Sequence, residues 1–247
     1  MASQADGRQH PPLPLRRFKP RFTANDATSA TLWGGLLLAS GAQYLTHQRG
    51  TVMKPLEGVT ILEFSTMITA ALASMMLAEQ GARVIKVEPS DSGDPMRYIG
   101  ARKGDISSLF AGCNRGKESI KIDLKSEAGQ TVIRDMIPQV DVVIHNFRPG
   151  TMDTLNLGCS ALQSINPQLI YMAISGFGTE GPLRRAPAYD PIIQAHSGMA
   201  ATQGSDESPA FIRSLLCDKI TAYTACQAVT SALFARERSG EGQLIDL

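Results

Sequence analysis

The chain has 247 residues, 43% of them hydrophobic and 19% charged, and a net charge of +1 from 24 Lys+Arg against 23 Asp+Glu. That is ordinary globular composition, enough for one large domain or two small ones, with no global basic field of the kind that argues for a nucleic-acid partner. The 4 cysteines (Cys113, Cys159, Cys217, Cys226) form no C-x-x-C pair and the 4 histidines (His10, His47, His145, His196) show no H-x-x-x-H spacing, so neither a disulfide framework nor a protein metal site is indicated, and the cysteine usage suits a reducing, cytoplasmic compartment.

Residues 1–52 read differently from the remainder. Met1 to Thr28 is rich in Pro, Arg and Gln and lacks periodicity, so it reads as a disordered leader. Thr31 to Leu45 is mildly apolar but too short and too interrupted by glycine to span a bilayer, so no membrane anchor is expected. A charged stretch before a short apolar one is also the pattern of a signal or transit peptide. The reading preferred here is that the folded domain occupies residues 53–247 and that Met53 is the natural start, because regular punctuation begins at Pro55.

From there strands and helices alternate. Gly58–Phe64 is short and apolar, a buried strand, and Met67–Gln80 is an Ala-, Met- and Leu-lined helix stopped by Gly81. Arg83–Glu88 is a second strand, which makes the first βαβ unit and requires a right-handed crossover. The alternation repeats with a strand at Ser119–Leu124, a helix at Ser126–Ile137, a strand at Asp141–Phe147, a mostly helical Leu155–Asn166 and a strand at Leu169–Ser175. Tyr189–Gly198 is a short helix. Lys219–Arg238 is a long one, whose alanines at 222, 225, 228, 232 and 235 allow close packing on one face. Leu244–Leu247 opens another strand, and the chain stops there, which reads as a fragment missing its C-terminal part. The pattern predicts a doubly wound α/β domain with a mostly parallel sheet.

Such sheets bind ligands at the carboxyl ends of their strands. The turn after the first strand, Phe64 to Ala70, has no glycine, and G-x-x-x-x-G-K-[ST] does not occur, so a dinucleotide fingerprint and a P-loop are both disfavoured. The strand ends offer Glu88, then Asn146, Phe147 and Arg148, then Gly176, Phe177 and Gly178. The run Asn146–Gly150 (NFRPG) could clamp a nucleotide by stacking and phosphate contact, or be an ordinary β–α turn closed by Pro149-Gly150. Arg115, Lys117 and Lys125 near the third strand read as solvated loop charges. His145 and His196 read as a strand-end and a helix-face residue. Asp218 follows the apolar run Phe211–Cys217 and starts the long helix. It reads either as that helix's N-cap or as a partly buried carboxylate, ionised at a positive helix terminus and able to act as a nucleophile.

Taken together, Pro55–Val59, Gly81–Glu88, Ser92–Asp94, Asn114–Lys117, Ile122–Lys125, Asp141–Gly150, Ser175–Gly178 with Gly181-Pro182, Tyr189-Asp190, Cys217–Lys219 and Ser239–Gln243 resemble the class III CoA-transferase (CaiB/BaiF) family, in the right order from Lys54 to Leu247. The family includes formyl-CoA and carnitine CoA-transferases and α-methylacyl-CoA racemases. The resemblance implies a Rossmann-like domain that binds acyl-CoA as substrate, without a prosthetic group, and a carboxylic acid as second substrate. It implies Asp218 as the nucleophile, forming an aspartyl acyl anhydride. Asn146 and Phe147 would contact CoA, Ile122 and Lys125 would line the adenine and phosphate region, and Tyr189 would lie near the acyl end. Met67, Ile68 and Thr69 fall on a loop that approaches CoA through its backbone. The resemblance further implies a smaller C-terminal domain, absent here, and an interlocked homodimer.

Three positions depart from the family. Thr69-Ala70-Ala71 stands where Ala-Gly-Pro is frequent, and Pro89 and Thr154 stand where basic residues are common. The racemase branch carries a histidine before the aspartate of the Tyr-Asp pair; here the residue is Tyr189, which favours transfer over racemisation. A racemase, or a CoA-binding fragment without activity, remain the alternatives.

Overall fold

A computed structural model describes residues 53–247 apart from Asp105 and Asp206, so the readings made of residues 1–52 lie outside the described residues. Six strands form one sheet: β1 (Thr60–Phe64), β2 (Arg83–Glu88), β5 (Glu118–Lys121), β6 (Val142–His145), β7 (Ile170–Ala173) and β8 (Leu244–Asp246). The order is β5-β2-β1-β6-β7-β8, and every adjacent pair is parallel. Counted along the chain, the sheet grows outward in one direction from β1, then restarts at β6 on its other side. This is the doubly wound arrangement, with its reversal between β1 and β6. A two-residue-per-strand hairpin, β3 (Arg102–Lys103) and β4 (Ile106–Ser107), lies apart from it.

Side chains alternate across each strand, and both faces are apolar because helices cover both. Ile61, Val84, Val142, Ile144, Ile170 and Met172 face one layer, packed on α1 (Thr69–Glu79) and α8 (Leu216–Ser239). Leu62, Phe64, Ile85, Val87, Val143 and Tyr171 face the other, packed on Ile133 of α3 (Glu127–Met136) and on Met152, Leu157 and Leu162. The alanines expected to allow close helix packing do so at 222, 225 and 232, which are buried against Ala70, Ala73 and Leu77 of α1; Ala235 is exposed. The axes approach closely because these side chains stop at Cβ.

Several boundaries differ from the sequence reading. The first helix starts at Thr69 rather than Met67, because Met67 is left-handed with φ 65°. Leu155–Asn166 is not one helix: α4 (Thr151–Thr154) and α5 (Cys159–Gln163) are separated by Asn156, itself at φ 55°, and by Gly158. The third strand ends at Lys121, three residues early, where Ser126 begins to cap α3 by accepting from the Gly129 N–H. In addition, α2 (Ser108–Asn114) joins the small hairpin to β5.

Candidate active site

The reversal between β1 and β6 opens a cavity of about 570 Å³ at the carboxyl ends of the strands. Its walls come from four stretches distant in sequence: Thr66–Thr69 after β1, Asn146–Pro149 after β6, Ile174–Phe177 after β7 with Ala186–Pro191, and Leu215–Asp218 at the start of α8. Seven of the predicted site residues meet here: Met67, Ile68, Thr69, Asn146, Phe147, Tyr189 and Asp218. Ile122 and Lys125 do not. They follow β5, two strands from the reversal, where Ile122 is partly buried against the core and Lys125 is exposed.

Asn146 joins the two loops at the reversal. Its Oδ1 accepts from the Thr66 N–H at 3.1 Å and its Nδ2 donates to the Thr66 carbonyl at 2.8 Å. The NFRPG turn is therefore a staple as well as a wall. Arg148 and Arg184 are exposed at the rim and bring positive charge to the opening.

Asp218 is the third residue of α8, and the N-cap position belongs to Leu215, which supplies no side-chain bond. The N-cap reading is therefore corrected: the Asp218 carboxylate lies in the first turn but bonds none of its own helix's free N–H groups and takes the Thr69 hydroxyl instead. Asp190 does so from another element. It is buried at the first position of α6 (Asp190–His196), and its Oδ2 accepts from the Asp218 N–H at 3.1 Å. Gln194 donates to Asp190 Oδ1 and accepts from the Ile212 N–H at 2.8 Å, fixing the approach to α8. Within that approach Phe211 is exposed, while Cys217 is buried.

The half-buried Asp218 carboxyl sits above the ordinary aspartate range. Burial raises it, the Thr69 hydroxyl hydrogen bond to Oδ1 (2.6 Å) lowers it, and the Asp190 charge raises it. The helix terminus does not hold it strongly acidic. The result is a more basic carboxylate, with Oδ2 carrying no hydrogen bond among the described residues. His145 is buried and is not among the residues lining the cavity, and burial lowers its pKa to about 4.

Beneath the β1 loop lies a network of buried charges. Glu63 on β1 takes Lys86 Nζ at 2.8 Å on one oxygen and Lys117 Nζ at 2.6 Å on the other. Lys86 also sits 2.9 Å from Asp94 Oδ2 and donates to the Ser65 carbonyl and hydroxyl. Asp94 Oδ1 accepts from the Met96 N–H at 2.9 Å and from the Met67 N–H at 3.3 Å, so it holds the left-handed turn of the cavity wall. Glu88 receives a two-point contact from Arg97 and the Ser119 hydroxyl. Two sequence readings are corrected: Lys117 is a buried ion-pair partner rather than a solvated loop charge, and Glu88 is fully buried structure rather than an exposed strand-end ligand. Arg115 is the solvated one, paired with Glu79 at the surface. Nothing in local sequence separates Lys117 from Arg115; the polarity of Glu63 and Lys86 inside otherwise apolar strands is the signal that a buried network exists.

Gly176 permits the close approach of the 186–190 segment. A Cβ there would lie 2.0 Å from Ala188 Cβ. Gly176→Ala is expected to push the Tyr189-Asp190 segment off the β7 loop, cost about 1–3 kcal/mol of stability and loosen ligand binding. Thermal unfolding and the KM for an acyl-CoA check it.

A parallel doubly wound sheet with a cavity at its strand reversal defines an α/β ligand-binding domain. Residues 56–247 match the model of CoA-transferase family III, and the chain belongs to that family. It is 41% identical over 198 residues to an acetyl-CoA:oxalate CoA-transferase of Acetobacter aceti, covering 78% of this chain and 50% of the relative. It is 35% identical over 196 residues to a mouse succinyl-CoA:glutarate CoA-transferase, covering 78% of this chain and 45% of the relative. A CaiB/BaiF family crystal structure from Brucella suis superposes with a TM-score of 0.74 at 36% identity, over 79% of this chain and 53% of that one. The chain thus spans about half the length of the curated relatives it matches.

Proposed function

We propose that the protein transfers coenzyme A from an acyl-CoA donor to a carboxylic acid, with Asp218 as the nucleophile. The observation that carries this is the Asp218 carboxyl itself, more basic than ordinary, one oxygen held by Thr69 and the other without a hydrogen bond among the described residues, on the wall of a cavity of about 570 Å³. The two relatives above are named for oxalate and glutarate, and a dicarboxylic acid is the acceptor class proposed here. The racemase reading requires a histidine beside Asp218, and none is among the residues lining the cavity.

The chemistry balances as follows. Asp218 Oδ2 adds to the thioester carbonyl, the C–S bond breaks, and CoA departs as thiolate from a mixed anhydride. The thiolate then adds to Cγ of Asp218. The donor acid is expelled with the bridging oxygen, which leaves an aspartyl thioester. The acceptor carboxylate displaces the thiolate from Cγ to give a second anhydride, and the thiolate attacks the acceptor's carbonyl. The products are the new acyl-CoA and free Asp218. No proton is consumed overall, since each carboxylate is replaced by another. The remote nucleotide would hold the thiolate near Cγ between steps.

Each turnover exchanges one Asp218 oxygen with the acceptor. In the full-length protein, turnover with an ¹⁸O-labelled dicarboxylate is expected to add about 2 Da to the peptide containing Asp218. Turnover with an unlabelled Asp218 peptide would sink the covalent route.

A further inference from the structure

We propose that the Thr69 side chain is a positioning residue for Asp218 and a hydrogen-bond donor to the charge that develops on Oδ1, a role beyond the backbone contact expected of its loop. This rests on Asp218 being the nucleophile. The Thr69 hydroxyl donates to Asp218 Oδ1 at 2.6 Å across 149 residues of sequence. Thr69 is the first residue of α1 and Asp218 the third of α8, and these two helices pack on each other more extensively than any other helix pair among the described residues. Their small facing residues, Ala70 and Ala73 against Ala222 and Ala225, bring the two helix starts together.

The geometry is supported from behind. The turn carrying Thr69 is stapled by Asn146 at Thr66 and held by Asp94 at Met67. Thr69 is β-branched with few χ1 choices, so its hydroxyl is aimed by the backbone. Engaging Oδ1 alone leaves Oδ2 as the attacking oxygen. When the thiolate or the acceptor carboxylate adds to Cγ, the C=O electron pair moves onto Oδ1, where the Thr69 hydroxyl already donates. It has no such role in additions at the substrate carbonyl. The hydroxyl also stabilises ionised Asp218 against burial and against Asp190, the charged neighbour; the adjacent Cys217 thiol is neutral, being raised by burial.

The test compares Thr69→Val, Thr69→Ser and Asp218→Ala in the full-length protein, with circular dichroism to confirm folding. Thr69→Val is expected to lower kcat on the order of tenfold to a hundredfold, leave the acyl-CoA KM within about twofold, and move the acid limb of kcat/KM to higher pH. Thr69→Ser keeps the hydroxyl and is expected to restore both the rate and the limb. A merely structural role would alter KM or stability without moving the limb. Wild-type kcat and pH profile in Thr69→Val, beside an inactive Asp218→Ala, overturn the Thr69 inference alone. Wild-type turnover in Asp218→Ala overturns it together with the nucleophile assignment.

Discussion

Asp218→Ala in the full-length protein is expected to lower kcat by at least about 10³-fold while acyl-CoA still binds. The cavity walls that would meet CoA come mainly from the β1, β6 and β7 loops and do not depend on this side chain. The substitution should not unfold the domain. It removes a half-buried carboxyl that stands beside the Asp190 charge and whose folded-state pKa is raised. A raised carboxyl opposes folding wherever it is ionised, so the variant should melt at the same temperature as the parent or above it. In the parent, Asp218 must be ionised to attack, and activity should be lost as pH falls through a pKa above the ordinary aspartate range. Asp218→Glu separates charge from placement: it keeps the carboxylate, but the extra methylene breaks the fit to Thr69, and a loss of about 10²-fold is expected. Residual turnover above a tenth of the parent's in Asp218→Ala would remove the assignment.

The sheet was legible in the sequence because it is wholly parallel. Strands buried on both faces are short apolar runs, and the helices between them are long enough to be told apart by length. Where reading failed, backbone sign was the reason. Met67 and Asn156 adopt positive φ without being glycine, and no composition rule places such residues. Met67 shortens the first helix by two residues, and Asn156 with Gly158 holds the helix read over Leu155–Asn166 to α5, with α4 ahead of it.

The site was legible unevenly. Seven residues that the resemblance assigned to the site lie together on loops flanking the reversal, because the strand order sets those strand ends side by side. Ile122 and Lys125, which the resemblance assigns to the adenine and phosphate region, follow the edge strand β5 and are not among the residues lining the cavity. Asp218 lines the cavity but does not cap its helix. The partner that caps α8, Asp190, lies 28 residues away, and only tertiary structure brings it there. The Thr69 contact, over 149 residues, was likewise beyond local reading. Its one trace in sequence is a hydroxyl residue where the family frequently has alanine.

Lys86→Met is expected to destabilise the protein much more than Lys117→Met, although both lysines bind the same glutamate. Lys86 lies between two carboxylates and the Ser65 oxygens. Removing it takes away the ion-pair partner of Asp94 Oδ2, a buried oxygen that accepts no hydrogen bond among the described residues, and leaves Glu63 with a single ammonium. An uncompensated buried charge of this kind costs about 3–5 kcal/mol, a fall in Tm on the order of 10 °C for a chain of this size. Lys117 is different: burial and the neighbouring Lys86 charge outweigh its bond to Glu63 and lower it to about 8. Losing it removes an attraction to Glu63 but also relieves a repulsion with Lys86, and Glu63 keeps Lys86, Ser65 and Ser74, so less should be lost than at Lys86. The pH dependence follows from Glu63. Burial raises its pKa, but Lys117 and Lys86 overcome that and bring it from 4.5 to about 2. Its folded pKa is depressed, so its contribution of about 3 kcal/mol is present above pH 4.5 and disappears as pH falls towards 2. Glu63→Gln should flatten the acid arm of the stability curve over that window. The same lysine reaches the active site indirectly, since Asp94, which it neutralises, holds the Met67 turn that presents Thr69. Lys86→Met should therefore lower kcat even below its melting temperature. If Lys117→Met proves the more damaging of the two, in melting temperature and in rate, the hierarchy within the network is the reverse of the one its geometry implies.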